Sequence, residues 1–243
     1  PSQDEHCFLL RYKYRSYQSE LPDYFLSSPY QKLQIMEYKR NLPHFDHIGA
    51  SFFVTFRLFN SIPVQKALQL KRERELALKK ARQAATLELK NEQKRVADNT
   101  YFRKINHLLD HLTFGDRFLH ETNCTNIVKN VLHEYDKQYY DLQSYCIMPN
   151  HVHLLLDTSA QLPFDENDFD IEKYQYLKDI MRRIKGKTGL LLNRERGTSG
   201  SVWFPESYDR YIRHQKHYTY TVNYITENPV KVGLVSHWAA WNG

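Results

Sequence analysis

The chain lacks most of what marks a secreted or membrane-spanning protein. Its 243 residues hold three cysteines, Cys7, Cys124 and Cys146. They are odd in number and far apart, which argues against a disulfide framework or a zinc cluster and fits a reducing cytoplasm. No run of eighteen apolar residues occurs, so no membrane span is expected. The N-terminal stretch carries charges and aromatics where a signal peptide has an apolar core. No internal repeat is visible. Gly and Pro are missing from about Val64 to Leu112, so nothing there breaks a helix.

With 41% hydrophobic and 26% charged residues, the composition is that of an ordinary globular protein. The length allows one good-sized core and is marginal for two. The net charge is +6, and its placement is informative. From residue 181 onward there are ten Lys/Arg against four Asp/Glu, while the first 180 residues balance at 24 of each. A basic excess confined to the C-terminal quarter is the footprint of a phosphate-backbone binder, or a solvated basic surface. The 14% aromatic content, with 18 Tyr, supplies stacking surfaces for unpaired bases as well as core.

Residues 1–39 show no clear period and read as an N-terminal extension of uncertain order; residues 40–243 read as a single domain. Ser51–Phe59 is β-branched and aromatic and ends in the turn signal Asn60-Ser61 before Pro63, a strand. The stretch from about 64 to 112, with near-alternating charge, reads as one long exposed helix or a helical pair. It is taken as a solvated insertion, the alternative being an oligomerisation arm. A helix is expected over Thr125–Glu134 and strands over Tyr139–Met148 and His151–Asp157, joined at Pro149-Asn150. An acidic loop over 158–170 follows, then a helix over Tyr174–Asn193, and a last helix from His214 to Asn228 stopped by Pro229. Few strands, intervening helices and a hairpin give an α+β fold on an antiparallel sheet flanked by helices.

Three constellations carry chemistry. Strand alternation puts His151 and His153 on one face and Val152 on the other, so the two imidazoles can share a divalent ion. Tyr224 and Asn228, four apart on the last helix, share a face. A tyrosine hydroxyl can attack a phosphodiester, but its ordinary pKa near 10 requires a polarised phosphate, which a metal supplies. The Asn228 carbonyl can complete the metal shell. The aromatic and basic segment Tyr208–Arg213 either grips DNA or anchors the helix after it. Each constellation has a bland alternative in partly exposed strand histidines or a packed helical tyrosine.

Together the phrases Met148-Pro149-Asn150-His151-Val152-His153-Leu154-Leu155, Tyr208-Asp209-Arg210-Tyr211-Ile212-Arg213 and Tyr224-Ile225-Thr226-Glu227-Asn228-Pro229-Val230-Lys231-Val232-Gly233-Leu234-Val235 resemble the IS200-like transposase superfamily. They are most similar to its REP-associated tyrosine transposase branch. Leu42-Pro43-His44 and Phe53-Val54-Thr55-Phe56-Arg57-Leu58 resemble that branch's first strand and its lead-in. The resemblance covers roughly 40–63 and 115–236 and leaves residues 1–39 and the charged stretch unmatched.

The resemblance implies a small antiparallel sheet with helices, an HUH pair at His151 and His153 holding Mg2+ or Mn2+, and Asn228 as third ligand. It implies Tyr224 as nucleophile, with Tyr208 and Tyr211 as competing candidates. The expected activity is cleavage and joining of single-stranded hairpin DNA through a 5′-phosphotyrosine. The expected DNA contacts are Arg182, Arg183, Lys185, Lys187, Tyr208, Arg210, Arg213 and Lys231. The protein is expected to be cytoplasmic, as a monomer or homodimer. A hairpin binder that does not cut, and an RNA-directed protein using the same basic face, are the other function classes.

Overall fold

A computed structural model describes residues 36–39, 43–111 and 114–243. The first 35 residues, Cys7 among them, and Leu42 and Leu112 lie outside the described residues, so most of the expected extension does too. A two-stranded antiparallel hairpin comes first, β1 (Met36–Lys39) and β2 (Pro43–Asp46). The main sheet has four strands: β3 (Ser51–Arg57), β4 (Asp141–Ile147), β5 (His151–Asp157) and β6 (Tyr208–Tyr211). Their spatial order is β4-β5-β3-β6 and every neighbouring pair is antiparallel. The architecture is α+β, as the patterning implied.

The expected hairpin is present: Met148 N–H donates to the His151 carbonyl at 2.8 Å around Pro149-Asn150. β3 is two residues shorter than its apolar run, because Leu58 leaves the ladder to bridge Trp203. Strand alternation then sorts side chains onto two faces. Phe52, Val54, Phe56, Val152, Leu154 and Leu156 form one core with helices α3 (Thr122–Tyr135) and α4 (Leu177–Arg196). On the other face Phe53, Cys146 and Leu155 pack against Tyr218 and Ile225 of α5 (Gln215–Lys231). Leu154 is fully buried in the first core. Leu154→Ala is expected to cost about 2–5 kcal/mol through lost burial and an unfilled cavity, read by chemical denaturation.

The charged stretch forms a helical pair, α1 (Val64–Arg82) and α2 (Leu87–His111), folded back on each other. Arg74 and Asp98 pair between them at 2.7 Å, and Lys104 bonds Glu73 at 2.6 Å. The expectation of a merely solvated insertion fails at the end of α2. Asn106 and Leu109 are buried there, and the Asn150 amide donates to the Leu109 carbonyl at 3.0 Å. The last helix also departs from expectation by running through Pro229 to Lys231. Proline removes one ladder donor, but Val232 N–H still reaches the Asn228 carbonyl at 3.1 Å across it, so the final turn closes.

Candidate active site

His151 and His153 project from β5 to the α5 side of the sheet, and both are fully buried. Their Nε2 atoms lie 3.0 Å apart. The Nδ1 atoms are held from behind. Asn150, oriented by its bond to Leu109, places its Oδ1 2.7 Å from His151 Nδ1. That Nδ1 therefore carries the hydrogen and Nε2 keeps its lone pair. Thr55, opposite His153 in the ladder, sets its hydroxyl 2.8 Å from His153 Nδ1. Burial first, then His153 and Arg117, push the His151 pKa well below its usual value. Burial alone brings His153 to about 3. Both rings are neutral near pH 7, the form that binds metals.

Asp110, from the end of α2, closes this pair. Its Oδ1 is 3.5 Å from His151 Nε2, and one ligand atom from each of Asp110, His151 and His153 lies within 4.8 Å of the others. Two donors about 2.1 Å from one ion and at right angles to it sit about 3 Å apart, so the spacing fits a single small divalent ion. Burial raises the Asp110 pKa to about 6, against the opposing pull of His111, Asn228 and Lys231. Asn106 Oδ1, Asp110 Oδ1 and Asn228 Nδ2 are buried without a hydrogen-bond partner. Two neutral imidazoles, a carboxylate and these orphaned polar atoms are a donor set suited to Mn2+, or to Mg2+ with water.

Tyr224 adjoins the cluster from α5. Its ring stands edge-on to His153 at 5.2 Å and to Phe53 at 5.8 Å. The Asn106 amide donates to its hydroxyl oxygen at 2.9 Å. Burial, then Asp110, raise the Tyr224 pKa, and the Asn106 bond opposes them. Asn228, one turn along the same helix, is buried beside Asp110. The site thus gathers His151, His153, Tyr224 and Asn228 as the sequence implied and adds Asp110 and Asn106. No motif singled those two out, because one acid and one amide are lost among the charges of α2.

The expected DNA contacts divide between two layers. Tyr208 and Arg210 pair with Thr55 and Phe53 and so share the histidine face. One face of the Tyr208 ring is covered by Phe102 at 3.6 Å, and burial raises its pKa to about 12. Tyr211 pairs with Phe52 and faces the opposite core. Arg213 lies over the Tyr211 ring at 5.0 Å, and Lys231 Nζ lies 5.5 Å from the Tyr224 ring centre. Arg182, Arg183, Lys185 and Lys187 ride on α4, across the sheet from the histidines. Arg182 pairs with Asp179 and Lys187 with Glu134. Arg183 bonds Gln175, and Lys185 ties down the carbonyls of Phe204 and Pro205. The apolar stripe Ile180, Met181 and Ile184 dictates this side for the helix.

No family model matches the chain. A curated protein of Haemophilus influenzae, named as a REP-associated tyrosine transposase, is 30% identical over 104 residues, 42% of this chain and 56% of that protein. The match therefore spans little more than half of the relative's length. A solved structure of a REP-associated tyrosine transposase bound to a REP hairpin matches with TM-score 0.44 and 17% identity, over 86% of this chain and 81% of that one. The motif likeness and the curated match agree: the chain is related to the REP-associated tyrosine transposases.

Proposed function

We propose that the protein is a metal-dependent nuclease and strand transferase for single-stranded hairpin DNA, of REP-like or transposon-end type, with Tyr224 as nucleophile. The observation that carries this reading is the convergence of Tyr224 on a buried His151–His153–Asp110 cluster, with its ring against His153. Tyr224 Oη forms a bond to the scissile phosphorus and the P–O3′ bond breaks. The products are a 5′-phosphotyrosine and a free 3′-hydroxyl. The reverse attack by a 3′-hydroxyl joins strands.

His151, His153 and Asp110 would hold the ion, and Asn228 would add its carbonyl oxygen once its amide is turned over. Bound Mn2+ or Mg2+ would neutralise charge on the non-bridging phosphate oxygens. The chain's other residues position and shield. Asn106 donates to Tyr224 Oη and holds it in place. Asn150 and Thr55 fix the ring orientations of the histidines. Phe53 and Phe102 keep water from one side of the tyrosine. Arg210 and Lys231, on the histidine side of the sheet, and Arg213 beyond the end of β6 would meet the phosphate backbone, while the α4 cations would serve only DNA that wraps to the far layer.

A hairpin binder that does not cut is the second reading, favoured by the partly buried, hydrogen-bonded state of the Tyr224 hydroxyl. Labelled hairpin DNA from around the protein's own gene, incubated with Mn2+ or with chelator and run on a denaturing gel, separates the two. A metal-dependent, protein-linked band is expected. Binding with no such band in any metal supports the second reading.

A further inference from the structure

Beside the site lies a cavity of about 260 Å3, walled by Leu109, Asp110, His111, Arg117, Pro149 and Leu234. It is smaller than the roughly 300–1,000 Å3 pockets that take whole drug-sized ligands, so it suits a fragment such as one sugar with its phosphate. Its place relative to Tyr224 is defined by two elements. At β5, Tyr224 stands edge-on to His153, whereas the cavity opens beside Asn150, next to His151. On α2, Asn106 holds the tyrosine, and the cavity begins a turn later at Leu109 and Asp110. Asp110 belongs to both, as a wall of the cavity and as a member of the cluster with His151 and His153.

The wall that carries Arg117 is fixed at two points. Gly115 has φ of +75°, and a Cβ there would fall 1.8 Å from the Asn60 carbonyl oxygen, so only glycine lets this segment pass. Leu119 N–H donates to the Pro149 carbonyl at 3.1 Å. Arg117 is close enough for its charge to act on buried His151, and His111 acts on Asp110 in the same way.

We infer that this cavity binds the DNA segment on the 3′-hydroxyl side of the cut, taking the departing sugar, with Arg117 holding the phosphate 5′ to it. The inference rests on the cleavage reading above. Attack and departure at phosphorus lie roughly in line. With Tyr224 entering from the His153 side, the leaving O3′ points to the His151 side, where the cavity is. The Tyr224 Oη–P bond forms as P–O3′ breaks, and in the sum the phenol's proton becomes that of the released 3′-hydroxyl. In strand joining the same cavity receives the incoming 3′-hydroxyl end.

The test is a chemical double-mutant cycle on full-length protein with Mn2+. The probe is the hairpin oligonucleotide, with the phosphate 5′ to the departing sugar either normal or replaced by neutral methylphosphonate. The replacement is expected to slow wild-type adduct formation by about tenfold or more, the weight of a charged phosphate contact. Arg117→Ala is expected to be slow by a similar factor on the normal substrate and to lose nothing further on the neutral one. Arg117→Lys keeps the charge and is expected to recover part of the rate, and it carries the cycle if the alanine variant does not fold. Far-UV circular dichroism and thermal melts of the variants, matched to wild type, verify folding. Penalties that multiply independently overturn the assignment of Arg117, as does a normal rate in Arg117→Ala. A wild-type protein that makes no adduct at all overturns the cleavage reading itself and the inference with it.

Discussion

Tyr224→Phe is expected to abolish the covalent adduct while leaving hairpin affinity within about threefold, since one buried hydroxyl adds little to a phosphate-driven interface. The substitution leaves the Asn106 amide without its acceptor at a buried position. A stability loss of about 1–3 kcal/mol is therefore expected alongside the lost chemistry. Denaturing gels and a hairpin-binding titration separate the two effects. The other tyrosines near the motif are poor substitutes. Tyr208 is partly buried and stacked on Phe102, with its pKa raised by burial to about 12, and Tyr211 pairs with Phe52 on the opposite side of the sheet. An adduct surviving in Tyr224→Phe would reassign the nucleophile.

Asp110→Asn is expected to act in opposite directions with and without metal. In the metal-free protein the substitution removes a partly buried carboxylate whose Oδ1 is out of water and has no hydrogen-bond partner. Its raised pKa, about 6, shows that the fold disfavours its charged form. The cost is present at pH 7, where the carboxylate is ionised in both states. It disappears below about pH 4, where both states hold the proton. Asn is neutral and nearly isosteric, so the metal-free variant is expected to melt higher than wild type near neutral pH. In saturating Mn2+ the order reverses, because the carboxylate is the charged donor of the cluster. Mn2+ affinity is expected to fall by about 100-fold or more, and adduct formation with it. Thermal melts at pH 7 with chelator and with Mn2+ check this. A variant that melts in the same order under both conditions would take Asp110 out of the metal shell.

Periodicity placed the side chains of the site, and the motif resemblance marked which of them mattered. Alternation put His151 and His153 on one face, and the four-residue spacing put Tyr224 and Asn228 on another. Those rules need only one strand and one helix. They do not reach Asp110 and Asn106, whose significance depends on α2 folding back until Leu109 meets Asn150, a contact 41 residues apart in sequence. Pro229 misplaced a helix end because a single missing donor is tolerated when the next ladder bond forms. The basic side chains of α4 looked like one patch with Arg210 in the sequence. The apolar stripe beside them fixes the helix to the far side of the sheet, and their partners are the protein's own Asp179, Glu134 and Gln175.

An ion shared by Asp110 and His151 would also be a removable cross-link. It would fasten the end of α2 to the start of β5, across the same span that the Leu109–Asn150 bond closes, 41 residues. Because the ion leaves when the chain unfolds, its stabilisation follows its occupancy, about 2.7 kcal/mol at a free ion concentration a hundredfold above Kd. The ion would add to the ties that already join these ends without it, the Leu109–Asn150 bond and the Leu119–Pro149 bond that places the wall carrying Arg117. The cation would thus reinforce the placement of the wall beside the site as well as supply its chemistry.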